Sequence, residues 1–187
     1  MIDPVRIPSA LLPRLFRVDE NCPELPDVST LAILPVDGTL DAGNPGQFNM
    51  LYAFGVGEIA ISISGNPSNG SALLHTIRNV GAVSGALCAL REGATLGLRG
   101  PFGTSWPLTD QTGRDLLFIA GGLGLAPLRS TILQALAMRP SFRSISLLVG
   151  ARSPSQILYP AQLADWAGGG ALRLSLTVDR AIPGWTG

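Results

Sequence analysis

The chain has little of what metal, disulfide and nucleic-acid chemistry require. It holds two cysteines, Cys22 and Cys88, far apart and without CxxC spacing, which excludes a disulfide framework and, by themselves, a metal site. Two reduced thiols in an intracellular protein are the plain reading. An excess of either charge is also missing: thirteen basic and thirteen acidic residues cancel, with no basic block. That balance argues against nucleic acid or an anionic membrane surface as the main partner. No apolar run reaches the length of a membrane span. The opening Met1, Ile2, Asp3, Pro4 lacks the basic and apolar regions of a secretion signal, so the cytoplasm is the expected location. Charged residues make up only 14 % of the chain against 46 % apolar. A folded monomer must then bury much uncharged surface or set it against partners.

At 187 residues there is room for one large domain or two small ones with a proper core. The most informative stretch is residues 115–136, DLLFIAGGLGLAPLRSTILQAL, which reads as strand, glycine turn and helix without a break. Leu116, Leu117, Phe118, Ile119 and Ala120 lack polar alternation and predict a strand buried on both faces. Gly121, Gly122 and Gly124 allow a sharp turn and close approach of a ligand, and Pro127 suits a first helical turn. Unpaired N–H groups at such a helix start suit a phosphate. The spacing GGxGxAP meets the GxGxxG rule only loosely, and the turn by itself fits a tight β-to-α connection equally well.

The first thirty residues, with five prolines and scattered charges, predict an extended arm or edge strand. Strand candidates follow at residues 30–36, 47–54, 58–65, 72–80 and 94–100, separated by glycine turns. In the third of these Ile59, Ile61 and Ile63 alternate with Ser62 and Ser64. Residues 66–71 read as a loop, and residues 84–90 as a short helix with Ser84 as N-cap and Leu87 and Leu90 inward. Short strands at roughly ten-residue spacing predict an antiparallel barrel or sandwich. After a polar bridge at 104–114 the order becomes β-α-β-α-β, with strands at 144–150 and 172–178 and a helix at 160–167, which predicts a parallel sheet with ligands at its carboxyl ends. Three strands are half of a doubly wound domain, and the text reads as lacking its C-terminal portion, at the cost of an unpaired edge and an uncovered face.

Several pieces fall together in one order: PGQF at 45–48, ISIS at 61–64, GAVS at 81–84, GPFG at 100–103 and AGGLGLAPLR at 120–129. Jointly they resemble the ferredoxin-NADP reductase superfamily. The stretches FNMLYAFGVGEIAISISG, LLHTIRNVGAVSGALCALREG, LRGPFGTSWPL, GARSP and TVDR resemble more closely the gamma subunit of cytoplasmic nickel-iron hydrogenases, or sulfhydrogenases, over about residues 30–187. The resemblance implies a Greek-key β-barrel binding FAD over residues 1–108 and a partial Rossmann-like NAD(P)-binding α/β domain over 115–187.

In that superfamily an Arg-x-Tyr-Ser strand motif and a Gly-x-x-Ser/Thr turn hold the flavin phosphates. The first falls here on Ile59, Ala60, Ile61 and Ser62, so the arginine and tyrosine are absent, leaving Ser62 and the backbone beside Ile63 and Ser64. The second falls on Gly81 to Ser84, including Val83; read alone, it fits a capped surface helix without a ligand better, and its company shifts the balance. By the same resemblance His75, Thr76 and Arg78 run along the flavin, although a sole histidine also reads as an ordinary strand residue. No catalytic acid or base is implied, because hydride transfer between nicotinamide and flavin needs stacking and orientation. Gly121, Gly122, Gly124 and Leu125 match the nicotinamide-nucleotide pyrophosphate turn. Gly150, Ala151 and Arg152 fall where the adenosine ribose lies; Arg152 favours a 2′-phosphate or is a solvated charge, and Asp179 and Arg180 are equally open. A cysteine-rich segment carrying a two-iron, two-sulfur cluster is usual at the C-terminus of the family and has no counterpart here: either a missing C-terminal segment carries the cluster, which the abrupt end at Gly187 favours, or this member passes electrons straight to a partner. The implied function is passage of electrons between NAD(P)H and a nickel-iron hydrogenase through FAD, with hydrogenase large and small subunits and an iron-sulfur subunit as partners. The alternatives are an electron-transfer subunit of the dihydroorotate dehydrogenase or sulfite reductase type, and a flavin-free docking subunit.

Overall fold

Alternating burial sets up the first half of the molecule. The computed structural model describes residues 12–66 and 72–186. In β1 (Arg14–Leu25) Phe16 and Val18 are buried while Leu15 and Arg17 face out, so the strand presents one apolar face despite its charges. It pairs antiparallel with β2 (Val28–Pro35) and, over Arg14 to Arg17, with β6 (Thr95–Phe102). With β3 (Phe48–Ala53), β4 (Gly57–Ser62) and β5 (Leu73–Arg78), the sheet order is β4-β3-β6-β1-β2-β5. The expectation of an arm or edge strand is therefore corrected: β1 is an interior strand. Pro23 is tolerated because its half of β1 pairs only with β2, next to a register shift between Pro23 and Leu25. Residues 1–11 of that stretch, and 67–71 of the expected loop, lie outside the described residues.

The sheet closes on itself where Ile63 bridges His75 and the Ser64 N–H donates to the Leu74 carbonyl at 2.8 Å. The result is the expected antiparallel barrel, its core built from Phe16, Leu31, Ile33, Leu51, Ile77 and Leu96. A short helix, α1 (Ala82–Cys88), plugs one end with the fully buried Leu87.

The second half is a parallel sheet ordered β7-β8-β9 (Asp115–Gly121, Ser144–Ala151, Arg173–Val178), connected through α2 (Leu125–Ala137) and α3 (Pro160–Gly168). The β-α-β-α-β order is as read. Burial of β7 is not. Leu117 and Ile119 are 60 % and 66 % exposed, and Leu148 on β8 is 40 % exposed. Both helices pack on the opposite face, over Ile145, Leu147 and Val149, so an unbroken apolar run here marks a sheet with one face covered. An apolar hollow of about 320 Å³ lies along this strand between Trp106, Leu108, Leu117, Ile119 and Leu128. No described helix is long and apolar enough to cross a membrane.

The two halves interlock. Leu25 and Val28, from the β1–β2 turn, pack into the core of the parallel half. Tyr159 reaches back from the start of α3 to place its hydroxyl 2.6 Å from Thr76 Oγ1, and the Arg129 guanidinium lies over the Tyr159 ring while Nη1 donates to the Ser64 carbonyl at 2.8 Å.

Candidate functional site: two grooves that share a wall

Strand β4, the end of β5 and the turn into α1 enclose a groove of about 500 Å³ lined by Ile59, Ala60, Ile61, Thr76, Arg78 and residues 80–84, with Leu123 closing it from the other half. At the carboxyl ends of the parallel strands lies a second groove of about 510 Å³. Its wall is Gly121, Gly122, Leu123 and Gly124 after β7, Gly150, Ala151 and Arg152 ending β8, and Thr177 and Asp179 ending β9, with Arg78 entering from the barrel. The parallel register sets Gly121 beside Gly150 and Gly150 beside Thr177, so three strand ends open onto one spot. Arg78 and Leu123 belong to both grooves.

The glycines of the turn leave real space. A Cβ built on Gly121, Gly122 or Gly124 meets nothing within 4 Å, and Gly122 holds φ +51°, a conformation that an L side chain adopts only with strain. The backbone there runs along an open cleft.

Of the residues singled out by sequence, Ile61, Thr76, Arg78, Gly81, Val83 and Ser84 come together in the first groove and Gly121, Gly122, Gly124, Gly150 and Arg152 in the second. Others do not line either groove. His75 is 0 % exposed: its Nδ1–H donates to the Ser62 carbonyl at 3.1 Å, which leaves Nε2 to accept from Asn49 Nδ2 at 3.2 Å, and burial lowers its pKa to about 4. It is a neutral core residue of the barrel, because its register opposite Leu31 turns it inward. Ile63 and Ser64 are likewise buried, and the Ser64 hydroxyl is 2.9 Å from Thr76 Oγ1. Ser62, half-buried, contributes only its carbonyl to His75.

Ser84 is not the N-cap. That place is Gly81, and Ser84 is the third helical residue, its hydroxyl accepting from the Val80 and Gly81 N–H groups and donating to the Gly81 carbonyl. The hydroxyl is therefore committed to closing the turn. Leu125 is fully buried in the core of the parallel half, with its N–H bonded back into the glycine turn. Leu125→Ala should cost about 2–5 kcal/mol in chemical denaturation by leaving a cavity, while ligand affinity of the folded fraction stays unchanged.

Nothing in the sequence marks Leu123, which reaches both grooves as the variable residue of GGxG, or Thr177, whose role depends on strand register. Tyr159 was also unmarked. It takes φ +54° at the residue before α3, the one non-glycine among the described residues with positive φ, and nothing in ILYPAQL signals its partner in the barrel. No group of His, Cys, Asp or Glu among the described residues forms a metal cluster.

Residues 118–187 match the family model for the oxidoreductase NAD-binding domain. The chain is 37 % identical over 146 residues to sulfhydrogenase 1 subunit gamma of Pyrococcus furiosus, covering 76 % of this chain and 50 % of that one. It is 37 % identical over 111 residues to a probable dihydroorotate dehydrogenase B (NAD(+)) electron transfer subunit of Methanocella arvoryzae, covering 59 % and 39 %. The chain thus spans about half or less of the length of these relatives. Among solved structures, ferredoxin-NADP+ reductase from Plasmodium falciparum superposes with a TM-score of 0.74 at 20 % identity, over 91 % of this chain and 73 % of that one. Residues 118–187 thus carry the match to the oxidoreductase NAD-binding domain, the barrel joined to a parallel three-stranded sheet is the fold of ferredoxin-NADP+ reductase, and the sequence is similar to that of the sulfhydrogenase gamma subunits.

Proposed function

We propose that the chain is the flavin- and nicotinamide-binding part of an electron-transfer subunit, with FAD in the first groove and NAD(P)H in the second. The observation that carries this reading is that two grooves of matched size meet along one shared wall, at Leu123 and Arg78. Two ligands there would touch each other. The residues fit such groups: the glycine turn leaves open space for a backbone-cradled pyrophosphate, Arg78 and Arg152 supply cations, and Ile59, Ile61 and Val83 form an apolar wall for a flat ring. A bound flavin supplies conversion between two-electron hydride chemistry and single-electron transfer. The chain itself binds, orients and excludes water, and no side chain has to move a proton.

The relatives are named as subunits, one of them an electron transfer subunit, which supports a partner that exchanges electrons with this chain. We assign it as a hydrogenase assembly of large, small and iron-sulfur subunits, since the more extensive of the two matches is to a sulfhydrogenase gamma subunit. A dihydroorotate dehydrogenase assembly is the second reading. The missing Arg-x-Tyr pair, replaced by Ile59 and Ile61, favours one rival, a docking subunit without flavin. A dye-reduction assay on protein reconstituted with FAD separates them. NAD(P)H-dependent reduction of a one-electron acceptor supports electron entry; no turnover with either nucleotide, at any flavin excess, leaves the docking reading.

A further inference from the structure

Arg78 is the one charged side chain among the described residues that lines both grooves. It ends β5, held in register opposite Val28, and its resident counter-ion is Asp27, with Nε 3.1 Å from Oδ2. The pairing is incomplete. Nε is buried, yet the N–H is not aimed at the carboxylate and makes no hydrogen bond among the described residues. Asp27 is 55 % exposed and Arg78 33 %, so the pair is screened and weak. A guanidinium carries five donors in a fixed plane and recognises phosphate oxygens through aligned, paired bonds. Here it is half-desolvated, loosely held and set at the seam of two clefts. Ile59, Ala60 and Ile61 line the first groove with it, and Arg78 is the one charged residue of that lining. Arg152 faces the same small recess as Asp27 and Arg78, of about 90 Å³, so two guanidinium groups there share one carboxylate.

We propose that Arg78 is a single anchor shared by the two dinucleotides: it gives up Asp27 for phosphate oxygens, supplies the one cation of the first groove, and couples the two binding events. This rests on the flavin and nicotinamide reading above. Whichever dinucleotide arrives first breaks the Arg78–Asp27 pair, and the second binds without that cost. Coupling is then positive and reciprocal.

The test is flavin-fluorescence titration of the apoprotein with FAD, with and without NAD+ or NADP+, together with calorimetry of the nucleotides on apo and FAD-loaded protein. The oxidised nucleotides react with nothing in the sample. In the unaltered chain each ligand should tighten the other severalfold. Arg78→Ala should weaken both FAD and nucleotide by about tenfold or more and abolish the coupling, consistent with loss of a charge-assisted bond to each. Asp27→Asn should tighten both and reduce the coupling, and it tests the idea even if Arg78→Ala fails to fold. Arg143→Ala, on an exposed pair with Asp115, should change nothing. Weakening of only one ligand by Arg78→Ala, loss of affinity in Asp27→Asn, or absence of coupling in the unaltered chain overturns the shared anchor and leaves the function standing. Failure of the unaltered chain to bind FAD and nucleotide at all overturns the function itself.

Discussion

Thr76→Val is expected to destabilise the protein by about 3 kcal/mol or more, although it changes neither the shape nor the volume of the side chain appreciably. Thr76 Oγ1 lies 2.9 Å from Thr30, 2.9 Å from Ser64 and 2.6 Å from the Tyr159 hydroxyl, all four residues buried. The protons can be assigned. Thr30 donates to Glu24 at 2.7 Å, so Thr76 must donate to Thr30 and accept from both Ser64 and Tyr159. Every hydroxyl is used once as donor, and the chain ends on a carboxylate. Valine removes three bonds and strands buried hydroxyls, each at about 1–3 kcal/mol. Tyr159→Phe removes only one donor and should cost about 1 kcal/mol. Because the two residues share a bond, the double variant should lose less than the sum of the singles, measured by urea denaturation. Additive losses would mean that Tyr159 does not bind Thr76 across the interface.

Acid provides the second large effect. His75 is neutral and fully buried, with a pKa lowered to about 4 against an ordinary 6.5. Between those values the unfolded chain takes up a proton that the folded chain refuses, so stability falls as pH drops from 6.5 toward 4 and levels off below. The loss from this residue amounts to roughly 3 kcal/mol. A His75→Gln variant should be less stable at neutral pH, having lost the hydrogen bonds to Ser62 and Asn49, yet show a shallower decline with acid. Equal slopes for both proteins in denaturant melts from pH 7 to 4 would place His75 in contact with solvent.

The strands of the barrel were legible because alternation in residues such as Ile59, Ile61 and Ile63 survives in one sequence window. The glycine turn was legible for the same reason: Gly121, Gly122 and Gly124 sit between an apolar run and a helical one. What sequence withheld depends on partners distant along the chain. His75 belongs to the β5 run whichever way it faces, and pairing opposite Leu31 decides that it points into the core. Leu117 and Ile119 look like buried residues because apolar content says nothing about which face receives helices. Ser84 was misplaced by three positions because a serine at a helix start can close the turn as N-cap or as third residue, and only the bonds to Val80 and Gly81 distinguish them. The sequence sets Arg78 on the strand along one expected ligand. That it borders two grooves follows from how the barrel docks on the parallel sheet, through Val28 and Tyr159.

On the proposed function, one groove holds a flavin close enough to a nicotinamide in the other for hydride to pass. An anaerobic absorption spectrum of the FAD-reconstituted protein, taken before and after one equivalent of NADH or of NADPH, tests it most directly. Flavin bands should survive gel filtration and bleach with at least one of the two nucleotides. A protein that emerges colourless, or bands that neither nucleotide bleaches, would contradict it.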